Sequence, residues 1–317
     1  MTPQADDISR AGFVAIIGAP NAGKSTLVNR LVGAKVAIVT HKVQTTRFAV
    51  RGVAHHGDAQ LVLIDTPGIF HARKRLDRAM VQAAWSGAGE ADMRVHLVDA
   101  ASWVADAQDR ASPAQMRSIE DDRRVIEALK ARGLRAFLAL NKVDLFAHEQ
   151  LLPVMAALHA EGVYDEIFPV SAVNGEGIDT LAGALAARMP EARALYPPEQ
   201  TADLPMRLLA AEITREKLML RLHQELPYEL TVETEAWQER ADGSVRIQQV
   251  VIVSRDSHKA MVLGKGGAAI RDVGRAAREE LTTLMERKVH LFLFVKTDPK
   301  WQDRRESYEG LGLEFDA

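Results

Sequence analysis

A glycine-rich segment near the start of the chain, Gly18–Ser25, has the residue types needed to hold a phosphate. It follows the apolar run Phe13–Ile17, fits the pattern G-x-x-x-x-G-K-[ST] and reads Gly18-Ala19-Pro20-Asn21-Ala22-Gly23-Lys24-Ser25. A strand, such a turn and a following helix point several backbone N–H groups at one anion. Lys24 is then expected to reach the β- and γ-phosphates of a nucleotide, and Ser25 to contact Mg²⁺. The alternative is a strand-to-helix turn that binds nothing.

Two further stretches can complete a site around that phosphate. Asp65-Thr66-Pro67-Gly68 ends an apolar run, where the carboxylate can hold Mg²⁺ through water and the Gly68 N–H can meet a γ-phosphate. Alone, such a D-x-x-G sequence is usually a turn. The polar segment Lys42–Arg47 can supply a threonine hydroxyl to the Mg²⁺ shell, which orders the segment when a γ-phosphate is present. We expect that hydroxyl to come from Thr46 rather than Thr45.

The segment Asn141-Lys142-Val143-Asp144 has the groups that a guanine base would need. The Asp144 carboxylate can accept hydrogen bonds from the two adjacent donors on the Watson–Crick edge of guanine. Adenine offers no such pair, and a buried carboxylate left without it loses about 1.5–3 kcal/mol per charged hydrogen bond. Ser171-Ala172, after a later strand, can contribute a backbone N–H to the base oxygen. The alternative is a polar strand end with an ordinary Asn and Asp.

Together these stretches predict a Mg²⁺-dependent guanine nucleotide switch that hydrolyses GTP to GDP. The expected catalytic groups are Lys24, Thr46 and Gly68. The expected Mg²⁺ ligands are Ser25, Thr46 and Asp65. The predicted nucleotide contacts are Gly18, Ala19, Pro20, Asn21, Ala22, Gly23, Lys24, Ser25, Thr26, Asp65, Thr66, Pro67, Gly68, Ile69, Asn141, Lys142, Asp144, Ser171 and Ala172.

In this order of motifs, residues 11–188 resemble the translation-factor-related GTPases, with one departure. Ile69 follows Gly68, where many signalling GTPases have a glutamine that orients the attacking water. Hydrolysis must then rely on backbone groups and Mg²⁺, and in one interpretation on a monovalent cation. Asn21 is a candidate oxygen donor for K⁺, because cation-dependent relatives carry an asparagine at this position of the phosphate-binding loop. The alternative is an asparagine that only forms the turn.

Short β-rich runs alternate with amphipathic stretches through this part of the chain. Strands are predicted at Phe13–Ile17, Gln60–Ile64, Val95–Val98, Ala136–Leu140 and Ile167–Val170. Helices are predicted between them at Arg75–Ala84, Met116–Ala131, Glu149–His159 and Ile178–Ala187. Such alternation predicts an α/β P-loop GTPase domain with a mostly parallel sheet and helices on both faces. Ligands of such sheets lie beyond the carboxyl ends of the strands, where the phosphate-binding loop falls.

A stretch rich in proline and glutamate separates this GTPase domain, residues 11–188, from a smaller α+β domain at residues 204–317. Residues 189–203 are interpreted as a linker and residues 1–10 as a flexible N-terminus. The second domain is predicted to contain a long helix, two strands, a glycine turn flanked by helices, and a last strand, at Pro205–Glu225, Glu229–Trp237, Val245–Ser254, Gly264–Gly267 and Val289–Lys296.

The glycine turn contains G-x-x-G, a spacing that says little without its surroundings. An apolar residue before the turn, Lys265 within it and a following helix match the loop by which KH domains clamp a single-stranded backbone. From Lys259 to Lys288 there are seven Lys or Arg against four Asp or Glu, hence a local charge of +3. A solvated helix face would look similar. The RNA-binding residues expected here are Gly264, Lys265, Gly266, Gly267, Ile270 and Arg271.

The order of elements after the linker resembles a type II KH domain, and three short sequences resemble one GTPase family, Era. They are Glu212–Lys217, Glu225–Tyr228, and Trp301 after Val295-Lys296. The resemblance covers nearly the whole chain and implies a bacterial-type GTPase that binds the 3′ end of 16S ribosomal RNA and assists 30S subunit biogenesis. Two other interpretations stay open. One is an RNA-binding assembly factor that has lost hydrolysis, and the other is a GTPase whose C-terminal domain binds protein.

Composition limits the classes of function. A chain of 317 residues with 47% hydrophobic and 26% charged residues predicts a globular protein of two domains. The net charge of −3 means that any nucleic-acid site must be a local patch. The absence of cysteine excludes disulfides, thiol catalysis and zinc–thiolate sites. Without a signal-like N-terminus or a membrane-length apolar window, we expect a monomeric, cytoplasmic protein with at most peripheral contact with the inner membrane.

Overall fold

Two compact units make up the part of the chain that the computed structural model describes, residues 8–42, 45–72, 74–222, 226–309 and 311–315. The first unit comprises the described residues up to Ala37, Thr46–Asp203 and those from Gly312 onward. The second comprises Ile38–Thr45 and Leu204–Leu311. The sequence placed all of 11–188 in the first domain and 204–317 in the second. The contacts therefore divide the chain differently at Ile38–Thr45 and at the C-terminal end.

The first unit is built on a seven-stranded, mostly parallel sheet with the strand order β6-β5-β4-β1-β3-β2-β7. Its strands are β1 (Arg10–Ile17), β2 (Val50–His56), β3 (Ala59–Asp65), β4 (Met93–Asp99), β5 (Ala136–Asn141), β6 (Tyr164–Val170) and β7 (Ala202–Asp203). Within this seven-stranded sheet, only the pairs β2–β3 and β2–β7 are antiparallel among its described strands. The sequence analysis did not predict β2, whose apolar alternation is interrupted by Gly52 and ends in two histidines.

Helices cover both faces of this sheet, as predicted. They are α1 (Lys24–Val32), α2 (Arg75–Glu90), α3 (Ala100–Ala107), α4 (Pro113–Arg132), α5 (His148–His159) and α6 (Ile178–Arg188). Alternate residues of β1 enter opposite cores, because Val14 packs with α1 and α6 whereas Ala15 packs with α2, α4 and α5. The unpredicted helix α3 follows β4 without a loop, so no turn residue marks its start. Asp99 caps it by accepting from the Ala101 N–H at 2.9 Å.

The ends of the first unit differ from the predicted flexible N-terminus and linker. The Ser9 N–H bonds the Asp58 carbonyl at 3.0 Å, and Arg10 already begins β1. Residues 1–7 lie outside the described residues. Within 189–203, the Leu195 and Tyr196 N–H groups bond Oε1 of Gln60 at 2.8 and 3.0 Å, and β7 pairs with β2. Most of this stretch therefore packs on the first unit instead of spanning a gap.

The second unit has a three-stranded sheet in the order β10-β9-β8. Its strands are β8 (Leu230–Glu239), β9 (Val245–Val253) and β10 (Val289–Thr297), and its helices are α7 (Met206–Arg221), α8 (Asp256–Leu263), α9 (Ala268–Met285) and α10 (Arg305–Glu309). This is the predicted KH element order. The core lies between the sheet and α7 with α9. Helix α7 ends at Arg221, and the predicted helix end at Glu225 lies outside the described residues. In neither unit does a described helix reach the length and apolarity needed to cross a bilayer.

Candidate nucleotide and RNA sites

The phosphate-binding segment forms the predicted turn between β1 and α1. Gly23 ends the turn with φ 104°, a conformation that favours glycine, and a Cβ there would lie 2.3 Å from Nδ2 of Asn141. Helix α1 begins at Lys24, so the unpaired N–H groups of its first turn follow the loop directly. Asn21 has a left-handed φ of 63°, which asparagine tolerates better than most residues. The turn-forming interpretation of Asn21 therefore explains its residue type without K⁺.

The side chain of Lys24 folds back into this turn, and Lys24 is only 6% exposed. Its Nζ donates to the carbonyl oxygens of Gly18 at 3.1 Å and Ala19 at 2.9 Å. Burial lowers the pKa of Lys24 to about 8, and the negative charge of Asp65 offsets part of that effect. A phosphate would give this desolvated ammonium a charged partner that two neutral carbonyls do not supply.

The three predicted Mg²⁺ ligands meet beside the turn. The Ser25 hydroxyl donates to Oδ2 of Asp65 at 2.7 Å, and the Thr46 hydroxyl donates to the same oxygen at 3.2 Å. The two hydroxyl oxygens lie 2.9 Å apart. The Thr45 hydroxyl is used elsewhere, since it donates to the Lys42 carbonyl at 2.7 Å. The structure therefore brings Thr46, and not Thr45, into the oxygen cluster.

Asp65 has the properties of a cation ligand in this cluster. Its Oδ1 is buried and has no hydrogen-bond partner among the described residues. Burial raises the pKa of Asp65 to about 6, against the lowering effect of the Ser25 hydrogen bond and the Lys24 charge. A buried carboxylate oxygen without a partner is costly, and Mg²⁺ prefers a carboxylate, hydroxyls and water as ligands. The residues present thus fit a magnesium ion.

The residues around the predicted base site have different tasks from one another. Asn141 is buried and braces two loops, because its Nδ2 donates to the Ala22 carbonyl at 2.7 Å and its Oδ1 accepts the Ala172 N–H at 3.0 Å. The Ala172 N–H predicted for a base oxygen is therefore already paired. Lys142 binds Oδ2 of Asp99 at 2.7 Å. Asp144 is exposed, not buried as the sequence argument assumed, and pairs with none of the described residues.

The residues after Asp65 mostly support the loop from behind. The Thr66 hydroxyl donates to the Ile16 carbonyl at 2.7 Å. The Ile69 N–H donates to the Gly18 carbonyl at 3.0 Å, and its side chain is 3% exposed within the core. The contact of Ile69 with the nucleotide stays a prediction. Gly68 approaches the loop closely, since a Cβ there would lie 2.9 Å from Cγ of Pro20.

Sequence analysis did not predict the contacts that polar residues of α7 make. Within the second unit, Oε1 of Glu216 accepts the Val39 N–H at 2.8 Å, and Arg215 donates to the Thr45 carbonyl. Arg215 also pairs with Glu212, and these three side chains are buried. They hold Val39 and Thr45 through backbone groups. The sequence did contain a signal for these contacts, because charged residues occupy positions on the face of α7 where a packed helix usually has apolar ones.

The glycine turn of the second unit exposes its backbone. Helix α8 ends at Leu263 with Gly264 as its C-cap, a single 3-10 turn spans Lys265–Gly267, and α9 begins at Ala268. Lys265 and Gly266 are exposed, and a Cβ at Gly266 would meet no atom within 4 Å. Arg271 donates to the Gly266 carbonyl at 2.7 Å. Ile270 packs against the core, so it supports the turn from below.

Comparisons with known proteins agree with this geometry. A family model described as "50S ribosome-binding GTPase" matches residues 13–142, and a KH-domain model matches residues 225–302. GTPase Era of Caulobacter vibrioides (strain NA1000 / CB15N) is 56% identical over 98% of both chains. GTPase Era of Maricaulis maris is 55% identical over 98% of this chain and 99% of its own.

Two solved structures match over 96% of this chain and 99% of their own, each with TM-score 0.86 and 34% identity. One is a substituted variant of Aquifex aeolicus Era bound to GDP and AlF4⁻. The other is Era in complex with MgGDPNP and nucleotides 1506–1542 of 16S ribosomal RNA. Sequence and fold therefore both match proteins named Era across both units.

Proposed function

The chain belongs to the GTPase Era family, and from this membership we propose how its two units divide the work: the first hydrolyses GTP, and the second binds the 3′ end of 16S ribosomal RNA. The cluster of Ser25, Thr46 and Asp65 oxygens beside the Lys24 ammonium is the observation that carries the first assignment. These groups stand at the carboxyl ends of β1 and β3, where ligands of such sheets bind.

The reaction converts GTP and water to GDP and phosphate, and each residue has a separate part in it. Lys24 places its charge on the β- and γ-phosphate oxygens, and the Gly68 N–H donates toward the γ-phosphate. The Ser25 and Thr46 hydroxyls and the Asp65 carboxylate would hold Mg²⁺. When bound, Mg²⁺ neutralises charge that develops on the phosphate oxygens. The exposed Asp144 carboxylate accepts from the guanine edge.

Hydrolysis proceeds without a side chain that orients water at position 69, because Ile69 is packed in the core. Backbone groups and the bound metal then supply the stabilisation, and the rate is slow. Participation of K⁺ at Asn21 stays a prediction. Single-turnover hydrolysis measured in K⁺ and in Na⁺ tests it. A higher rate in K⁺ supports a cation at Asn21, equal rates make Asn21 a turn residue, and no turnover in either salt supports the assembly factor without hydrolysis.

The glycine turn is the RNA-binding element of the second unit. Its open backbone at Gly266 and the Lys265 ammonium suit the close approach of a phosphodiester strand. A variant with Lys265→Asp and Gly266→Asp adds two negative charges there. We expect this variant of the whole chain to bind a 16S 3′-end oligonucleotide at least a hundredfold more weakly, with unchanged GTP affinity. Unchanged RNA affinity would favour the protein-binding interpretation of this domain.

The segment Ile38–Thr45 is the candidate connection between nucleotide state and RNA binding. Its backbone is held by Arg215 and Glu216, and Thr46, the next residue, belongs to the Mg²⁺ cluster. Movement of Thr46 on γ-phosphate binding would therefore pull on a segment packed against α7. Because coupling is reciprocal, RNA affinity should be higher with a non-hydrolysable GTP analogue than with GDP. Equal affinities would leave both activities in place and refute the coupling.

Assistance to 30S biogenesis, cytoplasmic location, peripheral contact with the inner membrane and a monomeric state stay predictions for this chain. The complex of an Era relative with 16S RNA nucleotides supports the first of them. Accumulation of immature 30S subunits in cells depleted of this protein would test it. Cell fractionation and sedimentation of the purified protein would measure the other three.

A further inference from the structure

The strand β10 lies at the edge of its sheet and carries two large apolar side chains on its outer face. Phe292 is 43% exposed and Phe294 is 54% exposed. The alternate residues Leu291 and Leu293 pack toward the helices, so the two rings share the opposite face. At about 3.3 Å per residue, the rings stand roughly 6.6 Å apart along the strand. That spacing leaves room for one base to stack on each ring.

Two cations lie on the same face of the sheet as these rings. Arg246 of β9 pairs in register with His290, and its guanidinium carbon lies 4.9 Å from the centre of the Phe292 ring. Lys296, two residues beyond Phe294 on the same face, is exposed and forms no ion pair with a described residue. A partner protein with an apolar surface would place that surface against the charges on both sides of the rings. A nucleic-acid strand presents bases and phosphates in alternation, so it can contact both the rings and the cations.

A cavity of about 600 Å³ adjoins Phe292 between the second half of α9 and the start of β10. Its lining includes Arg278, Lys288 and the hydroxyls of Thr282 and Thr283. The one acidic lining residue, Glu279, lies 3.8 Å from Arg275, which partly neutralises it. Arg278 and Lys288 are exposed, and across the described ranges neither has an ion pair. This cavity therefore has two cations available for phosphate oxygens.

The cavity lies beyond the reach of the glycine turn. Helix α9 begins at Ala268 next to that turn, and Arg278 lies ten residues further along the helix. At 1.5 Å per residue this is about 15 Å. A KH turn clamps about four nucleotides, so a strand that continues along α9 arrives at Arg278 and Phe292 only after those four.

We propose that Arg246, Arg278, Lys288, Phe292, Phe294 and Lys296 form an edge track for single-stranded RNA. The track binds nucleotides beyond the four held at the glycine turn. Bases stack on Phe292 and Phe294, and phosphates lie over Arg278 and Lys288. This inference rests on the RNA binding proposed above, and it adds a second contact surface that lengthens the recognised segment.

The test compares a four-nucleotide and a roughly twelve-nucleotide single-stranded RNA on the full-length protein. Replacing Phe292 or Phe294 by Ala should weaken binding of the longer RNA about tenfold and leave the shorter one unchanged. Phe292→Leu keeps an apolar side chain and should weaken binding similarly, whereas Phe292→Tyr keeps a ring and should retain affinity. Leu220→Ala on α7, at an equally exposed apolar position, is the matched control and should bind as the wild type does.

The outcomes separate this inference from the proposed function. Loss of both RNAs in the Lys265→Asp, Gly266→Asp variant, with wild-type binding of the longer RNA by Phe292→Leu and Phe294→Ala, would overturn the edge track alone. Wild-type binding by the double aspartate variant would overturn the glycine turn as the RNA site. Sedimentation of the protein alone gives a third outcome. A dimer that Phe294→Ala converts to a monomer would make this face a protein interface and overturn the track.

Discussion

The Ser25 hydroxyl lies 2.7 Å from Oδ2 of Asp65, although 40 residues separate them in the sequence. The register of the sheet causes this contact, because β1 and β3 are parallel neighbours in which Ile16 pairs with Asp65. Both strands end at the same edge, so the loop after β1 and the carboxylate that ends β3 share one space. Substitutions at this edge should therefore affect metal, phosphate and base binding in separable ways.

Replacing Asp65 by Asn should separate metal binding from stability. The variant removes a buried charge whose Oδ1 has no partner within the described residues, so the nucleotide-free protein should melt at the same temperature or higher. Hydrolysis of GTP at saturating Mg²⁺ should fall about a hundredfold. Calorimetry measures the melting temperature, and single-turnover assays measure the hydrolysis rate. A large drop in melting temperature with normal hydrolysis would make Asp65 structural.

Lys24→Ala should abolish tight nucleotide binding and leave the fold intact. The ammonium is buried, and burial lowers its pKa to about 8, so its removal relieves a desolvated charge that offsets the loss of two carbonyl hydrogen bonds and of the Asp65 attraction. The free energy of unfolding of the nucleotide-free protein, measured by thermal melting, should be unchanged within about 1 kcal/mol. GTP titration by fluorescence checks the binding. If the melting temperature falls instead while GTP still binds, Lys24 stabilises the loop and does not bind the phosphate.

Asp144→Asn should change base preference without changing stability. The carboxylate is exposed and unpaired within the described part of the chain, so nothing in the fold depends on it. The amide donates where the carboxylate accepted, and affinity should move from GTP to xanthosine triphosphate by about 1.5–3 kcal/mol. Competition binding with the two nucleotides measures the shift. Unchanged GTP affinity would contradict the assignment of Asp144 to the guanine edge.

Asn141→Ala should behave differently from its neighbour in the same motif. It removes two buried hydrogen bonds, to the Ala22 carbonyl and from the Ala172 N–H, and leaves both groups unpaired. At about 1–3 kcal/mol for each, the first unit should lose several kcal/mol of stability. GTP affinity should fall as well, because the brace between the two loops is lost. Denaturant unfolding of the variant measures this loss of stability. Normal stability would mean that Asn141 contacts the nucleotide and does not brace the loops.

Ile69→Ala tests whether position 69 belongs to the core or to catalysis. The side chain is 3% exposed and packs in the core, so truncation should cost about 2–5 kcal/mol. Ile69→Val, the conservative control, should cost about 0.5–1.5 kcal/mol. Hydrolysis by folded protein should stay near the wild-type rate in both variants. A Val variant of normal stability that hydrolyses much more slowly would place the side chain at the reaction.

Contiguous sequence was sufficient to predict the turn of the phosphate-binding segment and the position of most helices and strands. Backbone conformation and periodic burial are encoded in neighbouring residues, so Gly18–Ser25 indicates its own turn and α6 was predicted to within one residue. The oxygen cluster of Ser25 and Asp65 contains the Thr46 hydroxyl, in keeping with the choice of Thr46 over Thr45. Its role as a Mg²⁺ ligand stays a prediction.

Only the tertiary structure decided which polar groups meet. Asn141 joins Ala22 and Ala172, which lie 119 and 31 residues away, and no local pattern indicates either partner. The contacts of Val39 and Thr45 with α7 and the burial of Ile69 depend in the same way on elements far apart in the chain. Local sequence fixes the conformation of a segment, whereas strand order and register fix its neighbours. Side-chain pairing depends on those neighbours and therefore appeared only with the fold.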